Sequence, residues 1–197
     1  NTSTRLKVAY TATERRIIML DGQAFFQVAH DKSRPFVVSA GDREVVAVGT
    51  QFEVRLDKKN VAVALLEGRV KVRARTDELR SLSAPNITIA TLEPGEKLEF
   101  AFARPATLIK GVNVEDLTSW REGRVRFDTT PLAQAVEEMN RYGPVPIRIA
   151  DASLATMPVS GVFRTGQSDS FVHALTELFQ VRAERTEDAI ELRRDQR

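Results

Sequence analysis

The chain has 197 residues, 42% of them hydrophobic, with 29 Lys+Arg against 27 Asp+Glu and no cysteine. That length fits one large domain or two small ones, and the hydrophobic share supports packed cores and argues against global disorder. Without cysteine there is no disulfide scaffold, no zinc–thiolate site and no thiol catalysis, a composition compatible with an oxidising compartment but not requiring one. No apolar run reaches the roughly 18 residues needed to span a bilayer, and no signal peptide is visible. The sequence begins at Asn1 and enters at once into a strand pattern, so it reads as a fragment of a longer protein.

Residues 1–110 read almost wholly as strand. Arg5–Tyr10, Arg15–Leu20, Ala24–Ala29, Phe36–Ala40, Glu44–Val48, Phe52–Leu56, Val61–Leu66, Val70–Ala74, Ile87–Thr91 and Lys97–Ala101 are short and rich in Val, Ile, Leu and Phe. Turn signals separate them at Asp21-Gly22, Gly41-Asp42, Gly49, Asp57 to Asn60, Glu67-Gly68 and Pro94-Gly95. Many short strands at close spacing predict a sandwich, a barrel or a solenoid. A weak repeat favours an all-β solenoid- or jelly-roll-like domain: Ile18 to Gly22, Ala64 to Gly68 and Thr91 to Gly95 each place an acid and a glycine before a further strand. A glycine at such a corner lets the chain turn and restart.

Residues 111–197 differ in pattern and in charge. Val125 and Phe127 alternate with Arg124 and Arg126, which predicts a half-buried strand. Thr130 then fits a helix N-cap and Pro131 the first helical position. Leu132, Val136 and Met139 follow on one helical face, and Gly143-Pro144 closes the helix. Pro146–Ala150 and Val159–Arg164 read as strands. Ser168 caps a second helix with Phe171, Leu175 and Leu178 on one face, and Val181–Glu184 and Ala189–Leu192 finish as strands. The predicted order is β-α-β, β-α-β-β, with two amphipathic helices on one small sheet. The expected domains are 1–112, all-β, and 113–197, a small α+β domain.

Residues 1–110 hold 18 Lys+Arg and 13 Asp+Glu, a net +5; residues 111–197 hold 11 Arg and 14 Asp+Glu, a net −3. A +5 spread over many strands is not a nucleic-acid footprint. The −3 of the second part predicts a partner surface with basic groups and salt-sensitive binding.

A set of motifs runs in order along the chain: Phe25-Phe26 with Val28-Ala29-His30, Arg34 to Val38, Gly49-Thr50 with Phe52 and Val54, Leu65 to Gly68 with Val70 and Val72, and Leu92 with Pro94-Gly95-Glu96. It continues through Trp120-Arg121, Gly123, Phe127-Asp128, Thr130-Pro131-Leu132 and Asn140-Arg141-Tyr142. On these residues, over roughly 150 positions, the chain resembles the periplasmic region of FecR-type anti-sigma regulators. The last part resembles the STN domain shared by secretins and TonB-dependent transducers. The family's all-β part usually begins earlier, and its membrane helix and cytoplasmic sigma-binding segment have no counterpart in these residues. The resemblance implies a signal-receiving role. The expected partner is the N-terminal signalling domain of a TonB-dependent siderophore transducer, and a sigma factor for iron-uptake genes is contacted through the missing segment. It implies a periplasmic location, a membrane reached only through a missing helix, and no nucleic acid, cofactor, metal or catalytic site.

The residues themselves point the same way, because no catalytic groups converge. His30 reads as a loop histidine with a local hydrogen bond. Ser168, Asp169 and His173 follow one another on a helix and cannot meet as a triad does. Glu137 and Glu138 diverge by about 100° and read as a solvated face. The docking strand is expected at Val159, Ser160, Gly161, Val162, Phe163 and Arg164, a short apolar strand that offers its edge to a partner backbone, with Gly161 permitting close approach. The alternative is a central strand whose edge the last hairpin covers. Trp120 is expected to anchor the domain junction. A second reading, an envelope carbohydrate- or protein-binding β-domain without a signalling role, needs an aromatic platform, and Trp120, Tyr10 and Tyr142 are scattered. An enzyme on an all-β scaffold needs a histidine cluster that two distant histidines do not supply.

Overall fold

The structure, a computed structural model, describes residues 1–57, 60–75, 88–101 and 105–195. Its contacts divide the chain into two units, Asn1–Leu117 and Thr118–Arg197. The first contains β1 (Arg5–Tyr10), β2 (Arg15–Gln27), β3 (Phe36–Ala40), β4 (Arg43–Ala47), β5 (Gln51–Leu56), β6 (Asn60–Glu67), β7 (Val70–Ala74), β8 (Thr88–Leu92), β9 (Glu96–Ala101) and β10 (Thr107–Lys110). A short helix, α1 (Val114–Thr118), follows. Of the expected strand Ile87–Thr91, Ile87 lies outside the described residues, and so does the middle of the turn from Asp57 to Asn60.

The ten strands form one sheet in the order β10-β9-β6-β5-β2-β3-β4-β7-β8, with β1 against β2. Alternation builds its core. Val38, Val45, Val54, Val63 and Val72 are fully buried and belong to one cluster with Phe52, Leu65 and Leu98, so both halves of the sheet face the same interior. The sheet curls on itself, and the jelly-roll-like expectation describes it better than the solenoid. Stacked coils would pair successive strands in parallel, whereas β2–β3 is the one parallel pair among the described ladders of this unit. Phe26, Phe36 and Phe52 meet at the centre with ring centroids 5.3–6.4 Å apart.

Asp21-Gly22 is not a turn between two strands, as the sequence predicts. β2 runs through it unbroken. Its first half pairs β1 and β3, and residues Gly22 to Gln27 pair β5. Gly22 has a φ of +96°, and a Cβ there would lie 2.5 Å from the Thr4 Cα. Glycine is required for the bend and for the close passage of β1's leading residues. β10 and α1 escaped the sequence reading. β10 is four residues, all exposed, and α1 is five residues, too short to show a period.

One polar cluster lies across four neighbouring strands. Glu44 on β4 is buried and accepts from Arg16 Nη1 of β2 at 2.5 Å and from Arg73 Nε of β7 at 2.7 Å. Arg16 also donates to Ser39 Oγ of β3 at 2.7 Å and to Glu14 at 2.6 Å. Burial alone would raise the Glu44 pKa. The hydrogen bonds and charges of Arg16 and Arg73 outweigh it and hold the group below its ordinary 4.5.

The second unit contains β11 (Arg124–Pro131), α2 (Leu132–Asn140), β12 (Ile147–Ile149), β13 (Pro158–Arg164), α3 (Ser168–Leu178), β14 (Val181–Arg185) and β15 (Ile190–Arg194). The order is β-α-β, β-α-β-β. The strands make two small sheets, β11–β13 and β12–β15–β14, not the single sheet expected. The separation arises because β12 pairs β15 in parallel instead of continuing the β11 ladder. Leu132, Ala135, Val136 and Met139 of α2 and Phe171, Val172 and Leu175 of α3 join Val125, Phe127, Val159, Ile190 and Leu192 in one core.

Four local expectations are corrected here. Thr130 does not cap α2; its hydroxyl turns back to Asp128 O. The orphan amides of Leu132 and Ala133 donate instead to Met157 O at 2.8 Å and Ala155 O at 3.0 Å, so the segment before β13 caps the helix. Gly143 is not a left-handed cap. It is glycine for space, because a Cβ would fall 2.3 Å from Ser168 Oγ. Ser168 in turn caps nothing: its buried Oγ makes no hydrogen bond among the described residues. Leu178 is 74% exposed rather than core-facing, and Val172 takes the buried position.

Asn140 closes α2 in a way that composition does not announce. Its Nδ2 donates to Ile147 O at 2.8 Å and its Oδ1 accepts from Ile147 N at 2.7 Å, so the side chain imitates a strand neighbour for β12. Asn140→Ala strands a backbone donor and acceptor and is expected to cost about 1–3 kcal/mol, read as a lower denaturation midpoint with an unchanged denaturant slope.

Candidate docking strand

β13 is built by strict alternation. Val159 is buried and Phe163 half-buried on the inner side, while Ser160, Val162 and Arg164 are exposed on the other. The inner side is fixed by an aromatic trio: Phe163 meets Phe171 of α3 edge-on at 4.9 Å, and Phe127 of β11 lies 5.8 Å from Phe163 and 5.9 Å from Phe171. The strand's position is therefore tied to the core of the unit.

The strand pairs with β11 along one side, from Arg124↔Arg164 through Arg126↔Val162 and Phe127↔Gly161 to Pro131↔Pro158. A bulge at Asp128-Thr129 interrupts the ladder. Thr129 has a φ of +50°, and its amide donates to Ser160 Oγ at 2.8 Å. Among the described residues β13 has no ladder on its other side, since β14 and β15 belong to the second sheet. The last hairpin therefore does not pair with it. Gly161 does not leave room for a partner backbone in the way the sequence suggests. Its φ is +152°, and the space of its missing Cβ is taken by the chain's own Phe163 ring at 3.1 Å.

The exposed face of this two-stranded sheet carries Arg124, Arg126, Val162 and Arg164. Arg124 pairs with Glu122. Val162 stands 54% exposed between the arginines. The net −3 of residues 111–197 is thus unevenly spread, with three arginines on the face beside the candidate strand.

The other sequence candidates do not form sites. Ser168 Oγ is buried, Asp169 pairs with Arg185, and His173 is exposed, so these three do not converge. Glu138 is not simply solvated: it accepts from Arg141 at 2.8 Å and from the Tyr142 hydroxyl at 3.1 Å, which also occupies Tyr142. Among the described residues His30 makes no local side-chain hydrogen bond; its ring packs against Gly49. Trp120 is half-buried in a single 3-10 turn, Ser119–Glu122, at the start of the second unit. No group of three or more His, Asp or Glu among the described residues could hold a metal ion. No helix among them is long and apolar enough to cross a membrane.

Residues 1–71 match the family model described as FecR protein. A comparison with curated proteins found no match. Among solved structures, a proposed anti-sigma factor from Parabacteroides distasonis shares the fold with a TM-score of 0.79 and 22% identity, over 98% of this chain and 88% of that one. A second structure of a proposed anti-sigma factor from the same organism gives 0.74 and 22%, over 94% and 83%. The family match thus covers the front of the chain, and the fold is shared over nearly its whole length.

Proposed function

We propose that this FecR-type chain is the signal-receiving module of a transmembrane anti-sigma regulator. The FecR family is regulatory, and the two structural relatives, both proposed anti-sigma factors, support a place in that signalling class. In this reading the chain lies in the periplasm and residues 113–197 act as an STN-like domain. They bind the N-terminal signalling domain of a TonB-dependent outer-membrane transducer. The parent protein crosses the inner membrane and contacts a sigma factor for iron-siderophore uptake genes through a segment outside these residues. Residues 1–112 are the FecR-type domain, and Trp120 marks the junction.

The observation that carries the docking half of this reading is the β13 edge. Among the described residues Val159 to Arg164 lie in a strand with a ladder on one side, in a sheet of two strands, anchored from beneath by Phe163. Such an edge presents unpaired backbone donors and acceptors that a partner strand can complete. Titrating labelled chain with an isolated transducer signalling domain should shift the amides of residues 159–164 first and most. Saturable binding that leaves those amides in place rules this edge out.

A further inference from the structure

We infer that the strand which docks on β13 is acidic and apolar on its exposed side, with a carboxylate against Arg164 and an apolar side chain beside Val162. The inference deepens the docking reading above and rests on it for the location of the edge.

The argument is one of local charge. Arg124 and Arg164 lie directly opposite each other in the β11–β13 ladder. Like charges in that position destabilise a sheet unless acids flank them. The second sheet of the same unit shows how this is normally met. There Arg182 also lies opposite Arg193, and Glu184 opposite Glu191. Every charge in that set has a partner: Arg182–Glu184 at 2.8 Å, Arg193–Glu184 at 3.2 Å and Arg193–Glu191 at 2.8 Å. On the β11–β13 face Glu122 serves Arg124 from one end, and Asp128 sits at the bulge at the other. The Arg164 guanidinium has no ion pair or hydrogen bond among the described residues. It stands on β13 itself, on the side where the ladder stops, two residues from exposed Val162.

A strand added to that edge places its own exposed-side residues beside Ser160, Val162 and Arg164. A second copy of β13 fits poorly, because its own Arg164 would bring a further positive charge to the same face. A basic strand fits worse. A strand that alternates carboxylates with β-branched residues supplies the missing counter-charge and extends the apolar contact of Val162.

The test uses the full chain and two synthetic ten-residue peptides, one alternating Glu with Val and one alternating Lys with Val, titrated by NMR at low ionic strength. The Glu/Val peptide should shift the amides of residues 159–164 and bind at least tenfold tighter than the Lys/Val peptide. Arg164→Glu should reverse that order, while Arg182→Glu, on the other sheet, should leave it within twofold. Equal binding of the two peptides, no binding of either, or an order unchanged by Arg164→Glu overturns the inference. Any of these results leaves the transducer titration standing. A transducer domain that avoids residues 159–164 while the peptide preference holds would remove the docking reading and keep the edge chemistry.

Discussion

Phe171→Ala should unfold the second unit under conditions where the rest of the chain stays folded. Phe171 is fully buried and is the one ring of its trio supplied by a helix, meeting Phe163 at 4.9 Å and Phe127 at 5.9 Å. Truncating a buried phenylalanine removes its transfer free energy and leaves a cavity, together about 3–5 kcal/mol. Small domains sit near the lower end of the usual range of about 5–15 kcal/mol, so the loss takes most of what holds this unit. The chain's single tryptophan, Trp120, lies in the same unit and reports its unfolding by fluorescence. The denaturation midpoint of that signal should fall steeply in the variant. Leu178→Ala, at a residue 74% exposed, should move it by no more than about 0.5 kcal/mol. A Phe171 variant that melts like Leu178→Ala would show that the trio is not what secures β13.

The second large effect is expected at Glu44, where one carboxylate holds two arginines from strands on either side. Glu44→Ala leaves Arg16 and Arg73 without their shared acceptor inside a largely buried cluster. Removing one partner from such a cluster costs about 3–5 kcal/mol, because the remaining charges stay desolvated. The pH dependence carries a definite sign. The Glu44 pKa is lowered in the fold, so the folded state binds its proton less readily than the unfolded chain does. Its contribution is complete above the unfolded value near 4.5 and disappears as pH falls through the folded pKa. Wild-type stability should therefore decline below about pH 4.5 more steeply than that of Glu44→Ala, whose curve lacks this group. Parallel acid limbs in thermal melts from pH 6 to 3 would contradict the assignment.

Much of the fold can be read from short apolar runs between turn signals. β1, β3 and β7 begin and end where those runs place them, although only β7 alternates: β1 is exposed nearly throughout and β3 is buried throughout. The same reading could not tell that Asp21-Gly22 bends a strand, since a glycine after an acid marks a hairpin corner equally well. Only the approach of Thr4 to Gly22 distinguishes the two. Pairing was beyond reach for a related reason. Ile147 and Ile149 announce a strand, but nothing local says that it pairs β15 in parallel and so divides the second unit into two sheets. At the candidate site the existence and facing of Val159 to Arg164 were legible, and the open edge was not. Net charge carries no information on where the charges sit. Acids elsewhere in the unit outnumber arginines, yet Arg124, Arg126 and Arg164 share the face where contact is expected. The helix cap shows the same limit: Thr130-Pro131 has the right chemistry, but the carbonyls of Ala155 and Met157, more than twenty residues away, reach the amides instead.

The unbroken course of β2 has a kinetic consequence. One strand serves as ladder neighbour to β1 and β3 over its first half and to β5 over its second. Neither half of the curled sheet can open fully without releasing hydrogen bonds in the other. Amide hydrogens along β2 should then exchange with solvent at one common slow rate, set by global opening rather than by the fraying of either half.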